Sequence, residues 1–384
     1  MSSKNNIQKA HIFCCVYFCW VFFIHICGSQ YFTLFDVDAL IKYFNAFIIL
    51  FLFLYFVWDY KINKSSLIDI GLIVVFFVGY LFFKKGVLLL AFILLCRNVP
   101  FSLIVKTFIL ASICGMLFIL FTYALNMYPE TTLDLFRENN VYRYSLGYRF
   151  PTFLPNFYFH LVLCWFFLRK NSTNIFEVIV ILIINYLLYI LTDTRAVYFL
   201  VIMTCVAVLM LKYCNVGYRT FLLGSLFKFF TKYAFLIFGL TAIFFQYTYD
   251  PSISWMANLN TIFSGRLALG HWGFELYDIR LFGNLVEFVT MLEATDTNKF
   301  FYIDSAYVQL LLVYGLIIYI LVMYGYIKIG MEIVTREDKY FGLILILLFA
   351  HSITDPQLMS PEFNPYLLCL GYYGLVRCKD NLFK

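Results

Sequence analysis

Apolar residues run through this chain in long blocks separated by short polar turns. Blocks fall at Ile12–Cys27, Ala39–Val57, Leu67–Phe83, Val87–Cys96, Phe101–Ala124 and Thr152–Leu168. Six more fall at Ile175–Leu191, Val197–Leu211, Tyr233–Tyr247, Ser305–Ile327, Tyr340–Ile353 and Pro365–Val376. About 20 apolar residues in a helix cross a bilayer, so the pattern predicts an all-α polytopic integral membrane protein with about twelve transmembrane helices. The fourth block has about half the usual length. It reads as a re-entrant segment or merges with its neighbour across Asn98-Val99-Pro100, where proline interrupts a helix. The first follows Lys4 and Lys9 like a signal peptide, but no small-residue cleavage site comes after it, so it is expected to stay as an anchor.

Composition closes off the alternatives. Of 384 residues 63% are hydrophobic and 13% charged, which leaves too little charge to clothe a soluble fold. A soluble enzyme, a nucleic-acid binder and a disordered chain are excluded, and residues 1–384 read as one transmembrane domain. The eleven cysteines sit in or beside apolar blocks without a CxxC pair, as small hydrophobes do, so neither disulfides nor a metal site is expected.

The net charge of +6 matters through its placement. With the N-terminus in the cytoplasm and twelve alternating spans, 18 of the 28 basic residues fall inside and 15 of the 22 carboxylates outside. The positive-inside rule therefore favours cytoplasmic N- and C-termini. Two outer loops stand out, at about 125–151 and about 248–304; a connection as long as the second is usually functional. Within it Phe263, Leu267, Phe274 and Leu281 recur at roughly helical spacing. They predict an amphipathic helix over Ile262–Leu281 on the membrane surface.

Ten basic residues lie outside on this map, against the trend. Lys42, Lys84, Lys85 and Lys299 are close enough to span ends to snorkel. The others are all arginine: Arg137, Arg143, Arg149, Arg195, Arg266 and Arg280. Arginine stays charged and pairs bidentately with phosphate oxygens, so such a cluster suits an anionic, lipid-linked substrate carrying a pyrophosphate. The structural alternative pairs them with Glu130, Asp134, Glu138, Glu275 and Asp278, and it suits Arg137 and Arg280 best. Arg195 sits in the tight turn Thr192-Asp193-Thr194-Arg195 near the hydrocarbon boundary, where a charge needs a reason. That reason is a ligand or Asp193.

Taken in order, these residues resemble the O-antigen polymerase (Wzy) and O-antigen ligase superfamily from about Arg143 to the C-terminus. Thr192-Asp193-Thr194-Arg195 is similar to its Thr-x-Ser-Arg element. Arg143, Gly147, Arg149 and Pro155-Asn156 are similar to its earlier Arg/Gly and Pro-Asn element. Ser264-Gly265-Arg266 matches the polymerase Ser-Gly-Arg signature, and Asp304-Ser305-Ala306-Tyr307 with Leu311 and Gly315 resembles the start of the next span. His351, Glu362 and Asn364-Pro365 resemble the last-loop element. Thr194 stands where serine is commoner and Ser305 where asparagine is; the first five blocks add only hydropathy.

The resemblance implies a glycosyltransferase of the bacterial inner membrane that acts on its outer face without cofactor or metal. It would transfer a glycan from undecaprenyl pyrophosphate to a new lipid-linked repeat unit, with a flippase and a chain-length regulator as partners and no nucleic acid. Such chemistry needs positive charge on the departing pyrophosphate and a base at the acceptor hydroxyl. Arg195 and Arg266 are the expected charges, supported by Arg143 and Arg149, and alanine at Arg195 or Arg266 is expected to abolish long-chain product. The base stays open among His271, His160 and His351 and the carboxylates Asp304, Glu362 and Asp193, each lone histidine having a structural reading as well. Asn156, Asp193, Ser264, Gly265, Tyr307, His351, Glu362 and Asn364 complete the expected substrate contacts. Tyr302, Tyr307, Trp255 and Trp272 fit sugar stacking or an interfacial aromatic belt.

Three rivals stand beside the polymerase. A ligase shares the arginine turn but is expected to carry two histidines around a glycine in the large loop, where His271 is alone. A lipid-linked sugar transporter is usually built from matching halves, which the sequence lacks. A purely structural membrane protein has no use for outward arginines.

Overall fold

The computed structural model describes residues 2–59, 66–83, 86–127, 135–136, 142–214, 221–291, 293–295 and 299–372. Every predicted block that lies in these residues is helical. The first half holds α1 (Ser2–Cys27), α2 (Val37–Asp59), α3 (Ser66–Phe83), α4 (Val87–Leu95) and α5 (Phe101–Ala124). There follow α6 (Phe153–Arg169), α7 (Ile175–Thr192), α8 (Arg195–Tyr213) and α9 (Phe221–Tyr247). The segment after α9 carries α10 (Ser254–Ile262) and α11 (Arg266–Leu276), then come α12 (Ala306–Gln309), α13 (Leu316–Thr335) and α14 (Lys339–His351), followed by 3-10 turns over Pro356–Met359 and Pro365–Tyr372; the end of the last predicted block, 373–376, lies outside the described residues. A two-residue ribbon, β1 (Leu135–Phe136) antiparallel to β2 (Tyr142–Arg143), lies in the smaller loop.

Among the described residues six helices are long and apolar enough to cross a membrane, within α1, α5, α7, α8, α9 and α13. Their outer faces explain the composition: Leu117, Phe121, Ile183, Ile190, Phe199 and Phe244 are exposed, side chains that lipid solvates and water does not. The inner faces form one continuous core around Phe101, Phe159, Phe235 and Tyr366. The short fourth block is a nine-residue helix that a 3-10 turn over Cys96–Asn98 separates from α5. The ten described cysteines are free thiols, most of them buried in helices.

Two expectations change. The block Ser305–Ile327 is not one helix: α12 runs into a wider π turn over Leu310–Tyr314, the chain breaks at Gly315 (φ 90°), and α13 starts afresh. A broken helix at membrane depth frees backbone groups that must be satisfied inside the protein. The segment 280–284 supplies them. Asn284 donates its backbone N–H and its side-chain amide to Leu312 O, while Leu316 and Ile317 donate to Arg280 O and Leu281 O. The sequence pattern missed this because the partner segment lies about thirty residues upstream. A Cβ on Gly315 would come within 2.2 Å of Gly283 N, in a left-handed backbone. Gly315→Ala is expected to destabilise the fold by about 3 kcal/mol or more, read as loss of monodisperse protein on heating in detergent.

The second change concerns Ile262–Leu281. In place of one surface helix, α10 ends at Ile262 and α11 begins at Arg266, because Ser264 (φ 55°) and Gly265 (φ 84°) both turn left-handed. Gly265 N–H donates to Asn260 O at 2.8 Å, and Asn260 Oδ1 accepts from Ala268 N, so the turn is locked on both sides.

Lysines tie together one end of the bundle. Lys170 pairs with Asp338, Lys212 donates to Thr173 O and Lys339 to Leu211 O, gathering the C-terminal ends of α6 and α8 with the start of α14. The opposite ends of these three helices hold the cavity.

Candidate functional site

A cavity of about 680 Å³ opens where α6 and α8 begin and α14 ends, within the size range of small-molecule sites. Three arginines line it from three separate segments: Arg143 on β2, Arg149 just before α6 and Arg266 at the first position of α11. Arg143 Nε donates to Thr192 O at 2.7 Å, anchoring the guanidinium on the C-terminal end of α7. Arg149 is held by its backbone, whose N–H donates to Gly28 O at 2.9 Å, while Gln30 N–H donates to Gly147 O. The 144–150 segment thus rides on the end of α1, and the buried His25–Tyr148 contact at 3.0 Å fixes it further. Arg266 Nε lies 3.3 Å from Asp304 Oδ2, with both side chains half-buried.

Three carboxylates share the wall: Asp304, Asp355 and Glu362. Burial raises the Asp304 carboxyl above the ordinary range, Arg266 opposes this, and nearby Asp355 reinforces it. Burial also pushes Asp355 up to about 7, against a backbone N–H from Gln357, the Arg266 charge and the Asn156 amide. Asn156 Nδ2 donates to Asp355 Oδ2 at 2.7 Å, and His351 Nε2 stands 3.9 Å from the same oxygen. Glu362 too is raised to about 7, by burial, with its own backbone, Trp20 and Ser360 offsetting part. A carboxyl with that affinity exchanges a proton readily near neutrality.

Of the sequence-predicted residues, Arg143, Arg149, Asn156, Arg266, Asp304, His351 and Glu362 therefore meet in one cavity. The others stand outside it. Arg195 is the first residue of α8, its side chain is 56% exposed and pairs with Asp193 at 3.2 Å, and only its neighbours Thr194 and Ala196 line the cavity. Asp193 is the left-handed C-cap of α7 (φ 44°). Ser264 and Gly265 shape the turn that aims Arg266. His271 binds back to the end of α9, with Nδ1 3.1 Å from Gln246 O and Nε2 3.6 Å from Glu275. Tyr307 is fully buried and donates to Phe349 O at 2.9 Å, while Asn364 donates to Leu358 O and accepts from Tyr366 N. Those bonds hold backbone in place.

Tyr302 lines the cavity, Trp272 packs against Phe301 and Trp255 is half-exposed. Arg280 is exposed, and Arg137 with Glu130, Asp134 and Glu138 lies outside the described residues. Because Arg195 faces away, Arg195→Ala is expected to cost less than about tenfold in activity, a smaller loss than the sequence alone predicts; product yield from membranes carrying each variant measures it.

No protein-family model, curated protein or solved structure matches the chain. Among the described residues no group of three or more His, Cys, Asp or Glu side chains is placed to hold a metal ion. Sequence reasoning did not single out Asp355, and it gave α1 and α2 no part in the site although Trp20 and Asn45 line it. One signal was legible: an acidic residue immediately after an apolar helix, four positions beyond a histidine, is a functional candidate in its own right.

Proposed function

We propose that the protein is a membrane glycosyltransferase that polymerises a glycan carried on a polyprenyl diphosphate, working on the side of the membrane opposite its basic turns. What carries the reading is the convergence of Arg143, Arg149 and Arg266 with Asp304 and Asp355 on one cavity, at the end of the bundle away from Lys170, Lys212 and Lys339. Three guanidinium groups match a diphosphate in charge and geometry. The resemblance to the O-antigen polymerase superfamily supplies the substrate class: undecaprenyl diphosphate bearing the growing chain, with a lipid-linked repeat unit as acceptor. Twelve spans, cytoplasmic termini, the bacterial inner membrane and association with a flippase and a chain-length regulator belong to the same reading.

The acceptor hydroxyl oxygen attacks the anomeric carbon as the bond from that carbon to the diphosphate oxygen breaks. The diphosphate leaves with the bonding electrons, and Arg266, Arg149 and Arg143 stabilise its growing charge. Asp355 takes the hydroxyl proton, with Asn156 holding one carboxylate oxygen and the Gln357 N–H the other. This assignment replaces His271, which its bonds to α9 keep away from the cavity.

Purified protein in vesicles given only an undecaprenyl-diphosphate-linked repeat unit is expected to form a ladder of longer glycans with release of undecaprenyl diphosphate. Transport of the intact lipid-linked sugar without a ladder would replace this reading with that of a carrier. Absence of a ladder together with transfer to a lipid A core acceptor, once that acceptor is added to the vesicles, would replace it with that of a ligase.

A further inference from the structure

Arg266 already has an anionic partner. Its Nε lies 3.3 Å from Asp304 Oδ2, with both side chains half-buried, so a guanidinium assigned to the diphosphate holds a carboxylate in the free protein. The backbone fixes that carboxylate. Phe301 and Val289 exchange both of their backbone hydrogen bonds, Gln309 donates its side-chain amide to Ile303 O at 2.7 Å, and Ala306 N–H donates to Ser352 O at 3.0 Å. Asp304 is a short side chain between these anchors, while Arg266 is a long one at the first position of α11. The guanidinium can turn from one anion to another more easily than Asp304 can follow it.

Asp304 also keeps acidic company. Asp355, in the turn after α14, bears on its carboxyl and disfavours its charge. Tyr302 on the same segment has a side-chain hydrogen bond with Gln309 of α12 and brings no positive charge. Arg143, Arg149, His351 and Glu362 face the same cavity. Among the described residues three arginines thus meet three carboxylates there, and an arriving diphosphate adds negative charge that they do not cover. Once Arg266 turns to the diphosphate, Asp304 loses its contact, whereas Asp355 keeps the Gln357 N–H and the Asn156 amide. Of two neighbouring carboxyls, the one that loses its partner takes the proton. Product release sets a further demand. Undecaprenyl diphosphate freed of its sugar has one more acidic oxygen than the donor that entered, so arginines alone would hold product more firmly than substrate.

We propose that Asp304 is a competitor built into the site: it holds Arg266 while the cavity is empty, yields it to the incoming diphosphate, and takes it back to displace undecaprenyl diphosphate after transfer. The inference rests on the diphosphate reading of the arginine end of the cavity. Asp304 accepts a proton from solvent as it yields and returns that proton as it takes the guanidinium back. Its neutral form leaves Asp355 as the charged member of the pair, as a base must be.

The test measures binding of undecaprenyl diphosphate N-acetylglucosamine, and of undecaprenyl diphosphate, to the full-length protein in lipid nanodiscs. The sugar-bearing probe has no group that titrates near neutrality. Proton uptake on binding means that its affinity for wild type should fall as pH rises from about 6 to about 8, and calorimetry in buffers of different ionisation heat should register that uptake. Asp304→Asn should bind both probes about tenfold more tightly at the upper pH, lose most of the pH dependence and release undecaprenyl diphosphate more slowly by a similar factor. Asp355→Asn should keep the pH dependence. A gain of affinity does not come from a damaged fold, and the wild-type titration needs no variant. Wild-type affinity that holds or rises with pH, or an Asp304→Asn protein that binds no more tightly, overturns the competitor; the diphosphate reading then stands as long as Arg266→Ala still weakens both probes. If neither probe binds, or if Arg266→Ala leaves binding unchanged, the diphosphate reading falls and the competitor falls with it.

Discussion

Arg266→Ala is expected to lower glycan polymerisation by about 10²–10³-fold while the protein still inserts and elutes as a single species. Two features make this the largest arginine effect. Arg266 acts electrostatically on Asp304, Asp355 and His351, so it sits at the electrostatic centre of the cavity. Its position also depends on the left-handed turn at Ser264 and Gly265, which starts α11 at Arg266. On the proposed mechanism, removing the guanidinium takes a charge from the departing diphosphate, and it leaves the half-buried Asp304 without its ion-pair partner. Arg266→Lys keeps the charge but loses the planar fork, and it should recover only part of the rate. The measurement is single-turnover release of undecaprenyl diphosphate from vesicles. A rate within about threefold of wild type would detach the arginine end from the chemistry.

Asp355→Asn is expected to reduce turnover by about 10²–10⁴-fold with little change in the apparent substrate affinity. Asparagine retains the size and can still accept from the Gln357 N–H, but it takes no proton. The pH dependence carries the same information. A base works in its deprotonated form, and burial puts Asp355 at about 7, so wild-type activity should rise as pH increases through about 7 and level off above it. Burial sets that value, against the Gln357 backbone N–H, the Arg266 charge and the Asn156 amide, all of which favour the charged form; Asp304 and His351 line the same cavity. Removing Arg266 should therefore move the rising limb to higher pH, which a purely structural role for either residue would not do. His271→Ala, by contrast, should leave the profile in place, because its ring serves the contact between α11 and α9.

How much of this was legible in advance varies along the chain. Helices α5 and α7 were readable almost to the residue, because solvation in lipid leaves an uninterrupted apolar run between polar turns. The break at Gly315 was not readable, since its cost is met by Asn284 and the 280–281 carbonyls, partners that no local window contains. The arginines divide the same way. Charge against the orientation rule singled out six of them, but only packing separates Arg266, turned into the cavity, from Arg195, turned outward onto Asp193.

The sequence alone determined that the chain is a helical membrane protein, roughly where its helices lie, and that its unusual arginines deserve the first mutations. These properties follow from one-dimensional quantities: the length of apolar runs and the position of charge relative to their ends. Tertiary structure decided which charges share a cavity, that Asp355 rather than His271 stands beside them, and that Trp20 and Asn45 from the first two helices complete the wall. Proton affinity, ion pairing and ligand contact depend on separations of a few ångströms between segments that are far apart in the chain, such as Trp20 and Glu362, and side-chain packing alone sets those separations.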